Sequence, residues 1–128
     1  MKKLPLLASF GALLLLVATT ARADFSCAIA SGIPFCTYKG KISAVYANET
    51  NEILMYIPSP FDLSLVSAQG ISGVAVSNAF KYPTYANPDF ARMLYATLLA
   101  AQAQNRDVTV QMRKVNGGYL SIDRIWLN

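Results

Sequence analysis

The 128-residue chain contains no histidine, which limits what its other reactive side chains can do. A Ser or Cys nucleophile normally needs an adjacent general base, and the usual one is missing. The seven acids are Asp24, Glu49, Glu52, Asp62, Asp89, Asp107 and Asp123. They are scattered, and no spacing favours the facing carboxylates of a glycosidase. Several have ordinary work: Asp89 suits the first turn of a helix, and Asp123 suits an ion pair with Arg113 or Arg124. There is neither metal-ligand spacing nor a phosphate loop. The sequence therefore calls for no catalytic residue, no metal and no cofactor.

The two cysteines, Cys27 and Cys36, are not spaced Cys-x-x-Cys. Their redox setting follows from the first 23 residues. Lys2 and Lys3 precede an apolar run from Leu4 to Ala18, and Ala21-Arg22-Ala23 is a small-x-small cleavage site. That pattern is a secretory signal peptide rather than a membrane anchor, and it predicts a mature periplasmic or secreted domain over 24–128 without membrane insertion. An exported pair of cysteines forms a disulfide. Closing so short a loop is worth about 2.5–3 kcal/mol in the chain-entropy model. Three of the 11 basic residues lie in the signal segment, so the mature chain carries only about +1. Beyond Arg113-Lys114 no basic cluster occurs, which excludes a nucleic-acid partner.

Binding is what remains. The chain has seven tyrosines. Tyr38, Tyr82, Tyr85 and Tyr119 fall in or beside expected loops, whereas Tyr46 and Tyr56 fall in expected strands. An aromatic face ringed by hydroxyl and amide groups suits a sugar, which has an apolar C–H face and a polar rim. Tyrosines filling barrel edges with wet hydroxyls are the plainer alternative.

The elements that must position these groups are legible in outline. Pro88 to Ala103 reads as a helix capped by Asn87, with Pro88 at its first position and Ala and Leu in its interior. Phe90, Leu94, Thr97, Leu98 and Ala101 form its core stripe. Met93, Ala96, Leu99, Ala100 and Ala103 widen the apolar surface beyond what one sheet can cover, and are expected to meet a second copy of the chain. Strands are predicted over Lys41–Ala47, Glu52–Ile57, Gly70–Ser77, Asp107–Arg113 and Tyr119–Leu127. Asp24–Lys39 reads as an arm held by the disulfide, Leu63–Val66 as a short strand or loop, and Ala79–Ala86 as an irregular lead into the helix. Asn116-Gly117-Gly118 is a hairpin turn. The apolar phase of the last strand slips around Asp123-Arg124, which predicts a bulge or a strand that turns a barrel corner.

The predicted order is β-β-β-α-β-β, a mainly β chain with one helix. That is the connectivity of an OB-fold, a small five-stranded Greek-key barrel. An unrelated α+β sandwich is the alternative.

Lys41 to Leu127 resembles the receptor-binding B subunits of subtilase cytotoxin and of typhoid and pertussis-like toxins. The resemblance is carried by Lys41-Ile42-Ser43-Ala44-Val45-Tyr46, by Gly73-Val74-Ala75-Val76-Ser77 with Asn87-Pro88-Asp89-Phe90-Ala91-Arg92-Met93-Leu94, and by Gln104-Asn105-Arg106-Asp107-Val108-Thr109-Val110. It implies an OB-fold, a homopentamer with helices around a pore, host glycans as ligands (sialylated ones included), and an enzymatic A subunit as partner. The family's glycan segment falls here on Thr37, Tyr38 and Lys39. The family's serine is not at the expected place, and its late cysteine pair is absent. With Tyr82 and Tyr85, Thr37, Tyr38 and Lys39 are the expected glycan-binding residues. The competing expectation is a periplasmic OB-fold interaction or inhibitor protein without a toxin role.

Overall fold

The computed structural model describes residues 23–128, together with Lys3 and Gly11. The expected signal segment lies outside the described residues.

From Asp24 the described chain forms a hairpin where an arm held by the disulfide was expected. β1 (Asp24–Ala30) and β2 (Ile33–Gly40) pair antiparallel through Ser31 and Gly32, both at positive φ. Cys27 sits directly opposite Cys36, and the expected disulfide joins them. Phe25 is a further reason this segment is ordered, because its ring stacks on Phe61 at 4.3 Å between centroids.

β3 (Ala44–Asn48) and β4 (Glu52–Tyr56) form the second hairpin. Its turn is held by Asn48 Oδ1, which accepts from the Thr50 and Glu52 amides at 3.1 and 3.2 Å. Leu63–Ser67 is neither strand nor loop but a short helix, α1, started by Asp62, whose carboxylate accepts from the Ser64 amide at 2.9 Å. The strand expected over Gly70–Ser77 is absent. Gly70 and Gly73 adopt positive φ, and the amides of Ala75 and Val76 both donate to the Gly118 carbonyl instead of to a ladder. The third strand of the central group is β5 (Ala79–Pro83). Four of its five residues are buried, so both faces are covered and no alternation marks it in the sequence.

α2 spans Pro88–Ala103, as read from the sequence, and Asn87 Oδ1 accepts from the Phe90 amide at 3.1 Å. β6 (Val108–Asn116) and β7 (Tyr119–Leu127) close the chain as a hairpin through Gly117 and Gly118. The expected irregularity is present. Asp123 is the extra residue on β7 and Arg113 the extra residue on β6, so two bulges offset each other.

One seven-stranded sheet results, ordered β1-β2-β6-β7-β5-β4-β3, antiparallel except for β5 beside β7. It cannot be flat. Five strand spacings separate β2 from β3 in the sheet, roughly 24 Å if laid out flat. In the chain only Lys41, Ile42 and Ser43 lie between them, a reach of at most ~14 Å. The sheet therefore curls until its ends approach. It is not a closed barrel, because no ladder joins β1 to β3. The protein is thus mainly β with seven strands and two helices, where five strands and one helix were expected. Tyr38, Met55, Phe80, Leu94, Leu98, Met112 and Leu120 fill the interior. α2 contributes Ala91, Leu94, Leu98 and Ala101 to it.

Candidate functional site

The double bulge places polar side chains where α2 begins. Asp123 and Arg113 meet with Arg113 Nε 3.6 Å from Asp123 Oδ2, and Arg124 Nε lies 3.4 Å from the same oxygen. Gln111 Oε1, Arg113 Nε and Asp123 Oδ1 are buried side-chain atoms without a hydrogen-bond partner among the described residues. Buried polar atoms are rarely left so, and these three are enclosed rather than open to solvent.

A cleft of about 510 Å³ opens beside them, between the start of α2 and the β6–β7 hairpin. Its apolar wall is an edge-to-face pair, Tyr82 against Phe90, with centroids 4.9 Å apart. Asn87, Lys114, Asn116 and Asp123 supply the polar rim. Asn87 spends its oxygen on the helix cap, which leaves its amide NH₂ as a donor. Burial pushes the Tyr82 hydroxyl above its ordinary pKa, so it stays neutral. An aromatic wall facing one carboxylate, one amine and two amides is equipped to hold a small polyhydroxylated molecule. Among the described residues no group of three or more His, Cys, Asp or Glu side chains could hold a metal ion.

A second cleft, of about 470 Å³, lies across the segment from Pro83 to Pro88. Tyr85 and Tyr95 line it, with Asn51, Thr84 and Arg92 at its margin.

The five residues expected to bind glycan are not gathered in one place. Tyr38 is only 1% exposed, and its hydroxyl donates to the Lys41 carbonyl at 2.7 Å. It cannot present a ring or a hydroxyl to a ligand. Its neighbours Thr37 and Lys39 alternate to the other face of β2, half-buried and exposed, opposite Gln111 and Thr109. Tyr82 lines the first cleft and Tyr85 the second. The sequence reading missed Phe90, Asn87, Lys114, Asn116 and Asp123 as site residues. The slipped phase at Asp123 is the one signal the sequence offers for them, and it points to an irregular strand rather than to a ligand.

The helix residues expected to meet a second copy are outward. Met93 is 59% exposed and Leu99 40%, with Ala96 and Ala103 exposed and Ala100 half-buried. No helix among the described residues is long and apolar enough to cross a membrane. Comparison of the chain with protein-family models, curated proteins and solved structures finds no match.

Proposed function

We propose that this chain is an exported, non-catalytic binding subunit that takes a host glycan in the cleft between α2 and the β6–β7 hairpin. The observation that carries this reading is the aromatic pair Tyr82–Phe90 set against Asn87, Lys114, Asn116 and Asp123 in a cleft of about 510 Å³. Sites for small ligands combine such an apolar wall with a few placed polar groups in this range of volume.

The accompanying fold reading is an OB arrangement with its first strand broken at Lys41–Ser43. With β2 and β3 taken as halves of that strand, the order β4-β5-β7-β6 around it, the parallel β5–β7 pair and α2 between β5 and β6 support it. β1 is then an addition to the barrel edge. The resemblance to toxin B subunits supports a homopentamer that meets through Met93, Ala96, Leu99, Ala100 and Ala103 and carries an enzymatic A chain. A monomeric periplasmic interaction or inhibitor protein is the second reading. The same exposed helix stripe favours it if a different protein covers Met93 and Leu99.

The test is a glycan array probed with the mature protein, its Asp123→Asn and its Phe90→Ala variants. Binding by the parent and at least tenfold weaker binding by both variants is the expected result. No glycan retained, or variants that bind like the parent, would exclude the cleft as a sugar site. Thr37→Ala serves as control, since Thr37 lies outside the cleft.

A further inference from the structure

We infer that the two clefts are subsites for one oligosaccharide, which crosses the Pro83–Pro88 segment with Tyr85 as the stacking platform between them. The inference rests on the glycan reading of the first cleft.

The two clefts share a wall. Pro83, Ala86 and Asn87 line the first, and Thr84, Tyr85 and Pro88 line the second. This segment is therefore a ridge with a ligand-sized hollow on each side. Tyr85 is 71% exposed, the most exposed of the large apolar side chains. A tyrosine left in water on such a ridge has no packing role, but its face can carry the C–H surface of a sugar and its hydroxyl the rim. The second cleft shares an aromatic wall and an amide with the first: Tyr95 lines it, with Asn51, Thr84 and Arg92 at its margin.

The ridge is held in shape. The Thr84 amide donates to the Asn51 carbonyl at 2.8 Å, and the Ala86 amide to the Pro83 carbonyl at 3.1 Å. Pro83 and Pro88 fix φ at both ends, and Asn87 is committed to the helix cap. A platform ordered before the ligand arrives costs little entropy on binding. Other ligand classes fit less well. A nucleic acid would need a row of cations, and the first cleft offers Lys114 against Asp123. An extended peptide would pair along a sheet edge, but the first cleft touches neither edge strand and the second reaches the edge strand β3 only at Ala47.

The experiment measures affinity by calorimetry for a ladder of one to four sugar units cut from each glycan the array retains. The parent, Tyr85→Ala and Asp123→Asn are compared. The expected result is an affinity gain of tenfold or more between one and three units. Tyr85→Ala should lose that gain while binding the single sugar as the parent does. Because Tyr85 is solvent-exposed, its replacement should leave the thermal midpoint unchanged. A flat ladder, or a Tyr85→Ala variant that keeps the gain, overturns the two-subsite inference. If Asp123→Asn still abolishes single-sugar binding, the first-cleft reading survives that outcome. If no sugar of any length binds, both fall together.

Discussion

Tyr38 is the residue on which the elbow between β2 and β3 depends. Its ring packs over Gly40: a Cβ built on that glycine would lie 2.6 Å from the Tyr38 hydroxyl oxygen and 2.9 Å from Cζ. Gly40→Ala should therefore displace the tyrosine and weaken its bond to the Lys41 carbonyl. The expected loss is about 1–3 kcal/mol in a urea titration, typical of overpacking. Burial, with Asp107 nearby, pushes the Tyr38 hydroxyl up to about 12 from 10.0. Above pH 10 the unfolded chain has lost that proton while the folded chain keeps it. Stability should thus fall as pH rises toward 12, by on the order of 2 kcal/mol, and Tyr38→Phe should flatten that fall. Glu52 works in the opposite direction. Its hydrogen bond with Lys81, then that from Asn48, holds its carboxyl below the ordinary value of 4.5. Lys81 is itself buried, 2.8 Å from Glu52 Oε1 and over the Tyr119 ring. That stabilisation is present above the unfolded carboxyl's pKa and is lost as pH falls below it. Glu52→Gln should remove this acid dependence from the urea midpoint between pH 7 and 3.

At the scale of elements, the β1–β2 hairpin adds two strands to what the later chain would form alone. The disulfide joins directly opposed residues in it, Cys27 and Cys36. Replacing both by Ser should cost about 2.5–3 kcal/mol, measured as a shift in the urea midpoint. The amides of β1 should lose hydrogen-exchange protection first, because Phe25 is the principal side chain tying β1 to the core. α2 was the element most legible beforehand, because its cap, its first proline and its periodicity are all local properties. β5 was the least legible. It is buried on both faces, so its pattern lacks the alternation that identified β6. The glycine-rich segment before β5 contains many strand-forming residues, but Gly70 and Gly73 turn it where a ladder would need extended backbone.

For the whole molecule, the apolar stripe on α2 is the feature a single copy leaves unexplained. Met93 and Leu99 stand in water although the opposite face of the same helix is fully buried. Exposed patches of this kind mark association surfaces. Leu99→Asp should change the unfolding free energy of the single chain by less than about 1 kcal/mol, as an exposed substitution does. Light scattering should then report a single-chain mass for the variant and the mass of the proposed ring for the parent. An unchanged mass would remove the stripe from any assembly. Local chemistry in the sequence was sufficient to specify the disulfide pair, the α2 helix with its cap, the closing hairpin and the slip at Asp123. Each depends on neighbours a few residues away or on simple pairing of like groups. The sequence could not show that β2 and β3, three residues apart in the chain, stand five positions apart in the strand order of one curled sheet, because that order is set by contacts far apart in the chain. Nor could it show which tyrosines face solvent: Tyr38 was expected at the ligand and lies in the core. The first cleft brings Asn87 and Phe90 beside Lys114, Asn116 and Asp123, groups that only the packing of α2 on the β6–β7 hairpin makes neighbours.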